Sequence, residues 1–504
     1  MPSSKGFCKV GYEPVRALFD YHVQNGENLQ TCAYVNGEKV LDLYSLDHNS
    51  TYSITSVQNV FSSTKAITSL VVAMLEDQGH LRYDQKVSEI WPLFGQHGKN
   101  DMTVAQVMRH EAGLPRLKIA ALNLTRERIK QGAVSHKIEI ATPKFPNGAR
   151  DVADRSDDPN NDKRWREYHA ESRGWIINEI VRRADPKKRT VGEIIRDDIC
   201  TTLDIDRLEL FLGAEDDAQL ENIHPMSSID HLAWATWRSI ILPFAFLGGA
   251  TIPLKSGWLR FWLLLGIPMF KPPYELYQLF RSMFKLPPTQ PGGDLLGGVV
   301  VSKETLREMD DVTKMHELRH NHYNTKEVRQ CEIPSANGHA NARSLAAIAN
   351  TLAQGGVAAN GARLLSKEGV ARAQGNAVRN SMGSAGRLTN ADFSKYNRFT
   401  NAGWNCFDET PRRTGRDGWV GWLGIGGSIL QWYNSVVPEK NQKKNQKNDE
   451  QQLGIDIGFG FCGTEMHLIP TNERAASLQE MLKHCAERAI GGRDGGSVGS
   501  RSRL

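Results

Sequence analysis

One stretch limits this chain more than any other: Val60-Phe61-Ser62-Ser63-Thr64-Lys65-Ala66-Ile67-Thr68-Ser69-Leu70, with apolar residues continuing to Leu75. Residues 66–75 are apolar around almost the whole helical wheel, which describes a helix enclosed by protein rather than one lying on a surface. On that helix Ser62 stands one turn before Lys65, so hydroxyl and amine share a face. A serine hydroxyl is a poor nucleophile until a base takes its proton. A lysine buried beside it can do so, because burial penalises the charged amine. The S-x-x-K spacing alone is weak, since a second copy, Ser282-Met283-Phe284-Lys285, is present and about one or two are expected by chance. A serine at a helix start is the plainer reading of Ser62 taken by itself.

The 504 residues suffice for one large domain with insertions or for two or three ordinary ones. Apolar content of 40% and charged content of 24% are ordinary for a globular protein. The net charge of +5 is small for this length and argues against a nucleic-acid partner. Seven cysteines occur without a C-x-x-C pair or a histidine at zinc-ligand spacing, so they read as reduced structural thiols. No ligand cluster and no phosphate loop is found, so no cofactor is implied: no metal, nucleotide or flavin.

Helical spacing marks residues 13–23, and Asn36-Gly37 between two alternating segments, 29–35 and 38–44, predicts a hairpin. Thr103 with Gln106, and Thr190 with Glu193, form capping boxes for two further helices. Residues 117–163 are polar and read as a loop or loosely built insertion. A helix is predicted over 172–183 directly after Tyr168-His169-Ala170, another over 342–352, and a last one over 474–488. Two strand-like segments cover 419–432 and 453–462, joined by the lysine-rich, polar run 439–448, which reads as a disordered hairpin tip. Residues 240–254 carry no charge, and the apolar run resumes to about 270. It is too short and too interrupted by Pro243, Pro253, Lys255 and Arg260 for a membrane span. It reads first as an apolar cover over a large pocket and second as a peripheral membrane contact.

The motifs together resemble the serine β-lactamase and penicillin-binding-protein superfamily, in its branch of class C-like esterases and transacylases. Gly11-Tyr12-Glu13-Pro14-Val15-Arg16 is similar to the opening helix of that branch. Phe61-Ser62-Ser63-Thr64-Lys65 resembles its S-x-T-K motif, His110-Glu111-Ala112-Gly113-Leu114-Pro115 its H-x-x-G-L-P segment, and Tyr168-His169-Ala170 with Gly174-Trp175 its tyrosine motif. Residues 333–343 resemble its P-S-A-N-G turn, and Gly424-Ile425-Gly426-Gly427-Ser428 its last catalytic strand. The resemblance implies an α+β fold, β-lactamase/transpeptidase-like, with an antiparallel sheet flanked by helices and a mostly helical part. It implies a tail at 1–10, a single domain over 11–490 (α/β part about 11–60 and 375–490, helical part about 61–374) and a flexible tail at 491–504.

The resemblance also implies Ser62 as nucleophile assisted by Lys65 and Tyr168, with either of the two as the base, and an oxyanion hole from the backbone amides of Ser62 and Ile425. Trp422, Gly424 and Gly426 fall where substrate binds. His110, His169 and His339 read as structural. Where relatives carry K-T-G or H-T-G, this chain has Trp422-Leu423-Gly424. An indole cannot pair with a carboxylate, so lactamase and carboxypeptidase activity are disfavoured. The expectation is a serine hydrolase forming an acyl-enzyme with a neutral, apolar acyl ester or amide, its partner being that small-molecule acyl substrate. The alternatives are an acyltransferase using the same intermediate and a non-catalytic binding or scaffold protein.

The opening residues lack the apolar run of a secretory signal, which predicts an intracellular protein. Ser502-Arg503-Leu504 resembles the S-K-L peroxisomal address and predicts an import receptor as a partner. Removing Leu504 should disperse a fluorescently tagged protein into the cytosol; an unchanged punctate pattern would overturn the peroxisomal reading.

Overall fold

The alternation of residues 29–35 and 38–44 places one set of side chains on each face of a sheet, and the chain's two ends build that sheet together. A computed structural model describes residues 4–23, 28–45, 52–115, 117, 119, 124–144, 164–165, 167–226, 322–375, 378–381, 398–407, 418–435, 454–464 and 473–491. The expectations for 240–270, for the lysine run 439–448 and for Ser502, Arg503 and Leu504 fall outside these described residues.

Strand β1 (Lys5–Cys8) lies on the edge and pairs with β3 (Glu38–Tyr44), which pairs through the expected hairpin with β2 (Leu29–Val35). Residues 5–8, expected as part of a tail, are therefore in the sheet. The hairpin turn is made by Asn36 and Gly37 at φ 49° and 84°, the positive values that a two-residue turn needs. Four short strands come next in the chain: β4 (Gln58–Asn59), β5 (Arg164–Trp165), β6 (Leu210–Leu212) and β7 (Gly338–Ala340). The last six are β8 (Val378–Ser381), β9 (Arg398–Phe399), β10 (Asn405–Phe407), β11 (Trp419–Leu423), β12 (Ile429–Asn434) and β13 (Asp456–Gly463). The main sheet runs β1-β3-β2-β13-β12-β11-β10-β9-β8-β5, antiparallel except for β5 on β8. Strands β4, β7 and β6 form a separate small sheet.

Residues 419–432 form two strands rather than one. Gly426 and Gly427, at φ 84° and 88°, reverse the chain between β11 and β12. The segment read as a polar loop also holds two short helices, Arg126–Lys130 and Ser135–Glu139, because Ile129, Val134 and Ile138 are apolar enough to dock on the core.

Alternate residues of β2 face opposite layers. Ala33 and Val35 pack with Val15 and Phe19 of the first helix, Glu13–Val23, and with Leu478 and Leu482 of the last, Glu473–Gly491. Cys32 and Tyr34 face Ala342 and Ala346 of the helix Ala342–Ala353. Beyond that helix lies the larger core, built around the helix Thr64–Asp77, which is buried at every position from Thr64 to Leu75 as its all-round apolar pattern requires. Where residues 227–321 leave and rejoin the described chain, the Asn324 side chain accepts a hydrogen bond from the Met226 N–H at 3.0 Å and donates to its carbonyl at 2.8 Å.

The helix Ala342–Ala353 approaches β13 so closely that a Cβ at Gly460 would lie 2.1 Å from the Ala342 carbonyl oxygen and 2.6 Å from the Ala346 nitrogen. Both obstacles are backbone, so neither can rotate away. Gly460→Ala is expected to destabilise the protein by about 1 to 3 kcal/mol, the usual range for overpacking, read from the shift in the urea unfolding midpoint at unchanged slope.

Candidate active site

Ser62 sits in a 3-10 turn, Phe61–Ser63, that runs directly into the buried helix. Phe61 holds a positive φ of 41°, a strained backbone for a bulky residue. The Asn59 side chain fixes the bend by accepting a hydrogen bond from the Phe61 N–H at 2.7 Å. The turn leaves Ser62 half-buried and within reach of a substrate, while Lys65 one turn on is wholly buried.

Lys65 Nζ donates to the carbonyls of Ala170 at 2.7 Å and Ser335 at 2.9 Å, and lies 3.4 Å from Ser62 Oγ. Both carbonyls come from segments singled out in the sequence, the tyrosine motif and the P-S-A-N-G turn. That turn is held by Asn337, whose side chain accepts from the Ile333 N–H and donates to the carbonyls of Val328 and Cys331. It is fixed to the buried helix by Thr68 Oγ1 on the Pro334 carbonyl at 2.5 Å and by the Gly338 N–H on Thr64 Oγ1 at 2.9 Å. The helix Ser172–Ala184 meets the same turn at Gly174, where a Cβ would stand 2.6 Å from the Ser335 nitrogen.

Tyr168 Oη is 2.6 Å from Ser62 Oγ. Burial pushes the phenol up to about 12, outweighing its hydrogen bonds with Ser62 and Trp422, so Tyr168 keeps its proton at neutral pH. Lys65 is driven the other way, well below the usual lysine range, by burial first and by the Arg173 cation second, with Glu171 opposing. Trp422 is buried, with its ring stacked on Tyr168 at 6.4 Å and 17°. The residue expected to meet substrate thus borders the catalytic tyrosine. The turn carrying Gly424, Ile425 and Gly426 is tied to the nucleophile turn. Ser63 Oγ donates to the Ser428 carbonyl at 3.0 Å, and Ser428 Oγ donates to the Val60 carbonyl at 2.6 Å.

His169 is committed to structure. Its Nε2 accepts from the Leu114 N–H at 2.9 Å and its Nδ1–H donates to the Glu167 carbonyl at 2.5 Å. His110 Nδ1 accepts from the His169 N–H at 3.1 Å, and His339 stacks on Phe211 at 5.2 Å. Among the described residues no group of His, Cys, Asp or Glu side chains is placed to hold a metal ion, and no helix is long and apolar enough to cross a membrane. Sequence reasoning missed Arg173 and Glu171, whose charges act on Lys65, and Tyr323, whose hydroxyl donates to Glu171. A charged pair within five residues of Tyr168, at the start of an otherwise apolar helix face, was the available signal for Glu171 and Arg173.

Together these features define the class: a protein of the serine β-lactamase and penicillin-binding-protein superfamily, with its hydroxyl, amine and phenol gathered between a helical core and an antiparallel sheet. Residues 15–441 match the Beta-lactamase family, and the chain belongs to it. The Esterase/beta-lactamase LipL of Mycobacterium tuberculosis is 29% identical over 181 residues, which span 35% of this chain and 37% of that protein. Among solved structures, EstA from Arthrobacter nitroguajacolicus Rue61a aligns with a TM-score of 0.60 at 19% identity, over 95% of this chain and 98% of its own. A penicillin-binding protein homolog from Caulobacter crescentus aligns with 0.59 at 21%, over 96% of this chain and 100% of its own. A family VIII carboxylesterase gives 0.58 at 18%, over 96% and 100%. At these identities the structural likeness establishes the fold.

Burial lowers His169 from 6.5 to about 4. In the unfolded chain it binds a proton first as pH falls, so the folded state loses stability between about pH 6.5 and pH 4, by up to about 3 kcal/mol. Urea unfolding should show this loss between about pH 7 and pH 4.5. His169→Gln, which can still accept and donate one bond each, should be less stable at neutral pH and show a smaller loss on acidification.

Proposed function

We propose that the protein is a serine hydrolase that forms an acyl-enzyme on Ser62 with a neutral, apolar acyl ester. The observation that carries this reading is the environment of Lys65 Nζ. A neutral amine has two N–H bonds and one lone pair. The Ala170 and Ser335 carbonyls take both hydrogens, which leaves the lone pair for the proton of Ser62 at 3.4 Å. Lys65 is then the base, and Tyr168, held as a phenol, is the acid.

In this mechanism Ser62 Oγ attacks the acyl carbon as its proton passes to Lys65. The oxyanion forms against the backbone N–H groups of Ser62 and Ile425, an interaction worth roughly 3 to 4 kcal/mol in comparable sites. As the alcohol leaves, its oxygen takes a proton by way of the Tyr168 hydroxyl, and Lys65 gives up the proton it accepted. Water then attacks the acyl-enzyme with the same two groups in reversed roles. Trp422 in place of a cation supports a substrate without a carboxylate at that position. The relative named Esterase/beta-lactamase LipL supports an ester among the acyl substrates.

Intact-mass spectrometry after exposure to a fluorophosphonate tests the reading. The wild type should gain one adduct and Ser62→Ala none. Lys65→Met should slow labelling by about 10² to 10⁴-fold, the usual contribution of a general base. A folded wild type that gains no adduct would overturn the assignment.

A further inference from the structure

We propose that Arg173 is a positioning residue for the reaction: a buried cation, set one helical turn behind Lys65, that keeps the lysine in its amine form against the opposing pull of Glu171. The inference rests on Lys65 as the base and adds the groups that make it one.

Arg173 is fully buried, yet its partners are neutral. Its Nε donates to the Met108 carbonyl at 2.9 Å, and its Nη2 donates to Ser69 Oγ at 2.8 Å and the Ala402 carbonyl at 3.4 Å. Among the described residues its Nη1 has no acceptor. The buried Arg109 is matched by the Glu111 carboxylate, and the half-buried Arg126 by Glu332. An unmatched buried cation is destabilising, and packing alone would be served better by an apolar side chain of the same length. Its placement gives it a use. Ser69 is one turn beyond Lys65 on the buried helix, and the guanidinium lies 5.9 Å from the ring of Trp422, which itself stacks on Tyr168. The charge stands behind the catalytic cluster, where little water can screen it.

From the segment before the helix Ser172–Ala184 come Tyr168, a phenol whose ring centre is 4.8 Å from Lys65 Nζ, and His169, held neutral near a pKa of about 4. Glu171 follows, half-buried, with its Oε1 accepting from the Tyr323 hydroxyl at 2.8 Å. Burial raises Glu171 to about 7. Ser62 and Tyr323 complete the set. Arg173 and Glu171 are thus the two members that carry charge near neutral pH, and they act on Lys65 with opposite sign.

The test is an NMR titration of Lys65 in protein labelled with 13C at lysine Cε, run beside the pH dependence of fluorophosphonate labelling. Arg173→Gln should raise the Lys65 midpoint by about one pH unit or more, the usual effect of a close charge. Arg173→Lys should stay near the wild type, and Glu171→Gln should move the midpoint down. The acid limb of labelling should follow each shift. A folded Arg173→Gln protein with an unmoved midpoint overturns the inference, whatever the labelling does. Midpoints that shift as expected without labelling of Ser62 uphold the electrostatic assignment and overturn Lys65 as base. Should Arg173→Gln fail to fold, Glu171→Gln and Arg173→Lys decide: a midpoint unmoved in the first or raised in the second overturns the inference.

Discussion

The amine of Lys65, buried between two backbone carbonyls, is the contact on which the rest of this site depends. Those carbonyls belong to Ala170 and Ser335, which lie far from Lys65 in the chain and on different elements. Each has to be brought to within hydrogen-bonding distance by structure that does nothing else in the chemistry. The Asn337 side chain fixes one, and the packing of Gly174 against the same turn fixes the other relative to it. An amine so placed has lost its hydration and gained two acceptors but no anion in contact. It is therefore poorly suited to carry charge and well suited to accept a proton.

The same economy explains the turn that carries Ser62. Phe61 takes an unfavourable backbone angle, and Asn59, Ser63 and Ser428 hold it there through hydrogen bonds to the main chain. Strain of this kind persists only where neighbours over-determine it. Here they also lock the β11–β12 turn to the nucleophile. The serine and the backbone amides beside it consequently move as one piece, tied to the sheet on one side and to the helical core on the other.

Local patterns made much of the fold legible. Asn36-Gly37, the two capping boxes and the apolar wheel of residues 66–75 each depend on neighbours in sequence, and each is found where the pattern puts it. The approach of Tyr168 to Ser62 and Lys65 was readable only through the resemblance of the motifs, because no spacing in one chain reveals that residues about a hundred positions apart touch. The missed features are those with weak local signals. Two glycines were enough to divide residues 419–432, and a strand of four residues at the edge, β1, carries too little alternation to be seen. Trp422 was read from its place in the motif and from what an indole cannot pair with. Its place against Tyr168 follows from the register of β11, which requires the whole sheet.

The order of strands has a consequence for synthesis on the ribosome. Strand β2 is buried along its whole length, and one of its two neighbours, β13, follows it by about 420 residues. At the usual pace of translation that partner arrives roughly 20 to 80 seconds later. Throughout that interval the opening hairpin has an unpaired strand edge and an uncovered apolar face, the features by which nascent chains associate wrongly. The scaffold that later holds Ser62 still is thus among the last things the growing chain can complete.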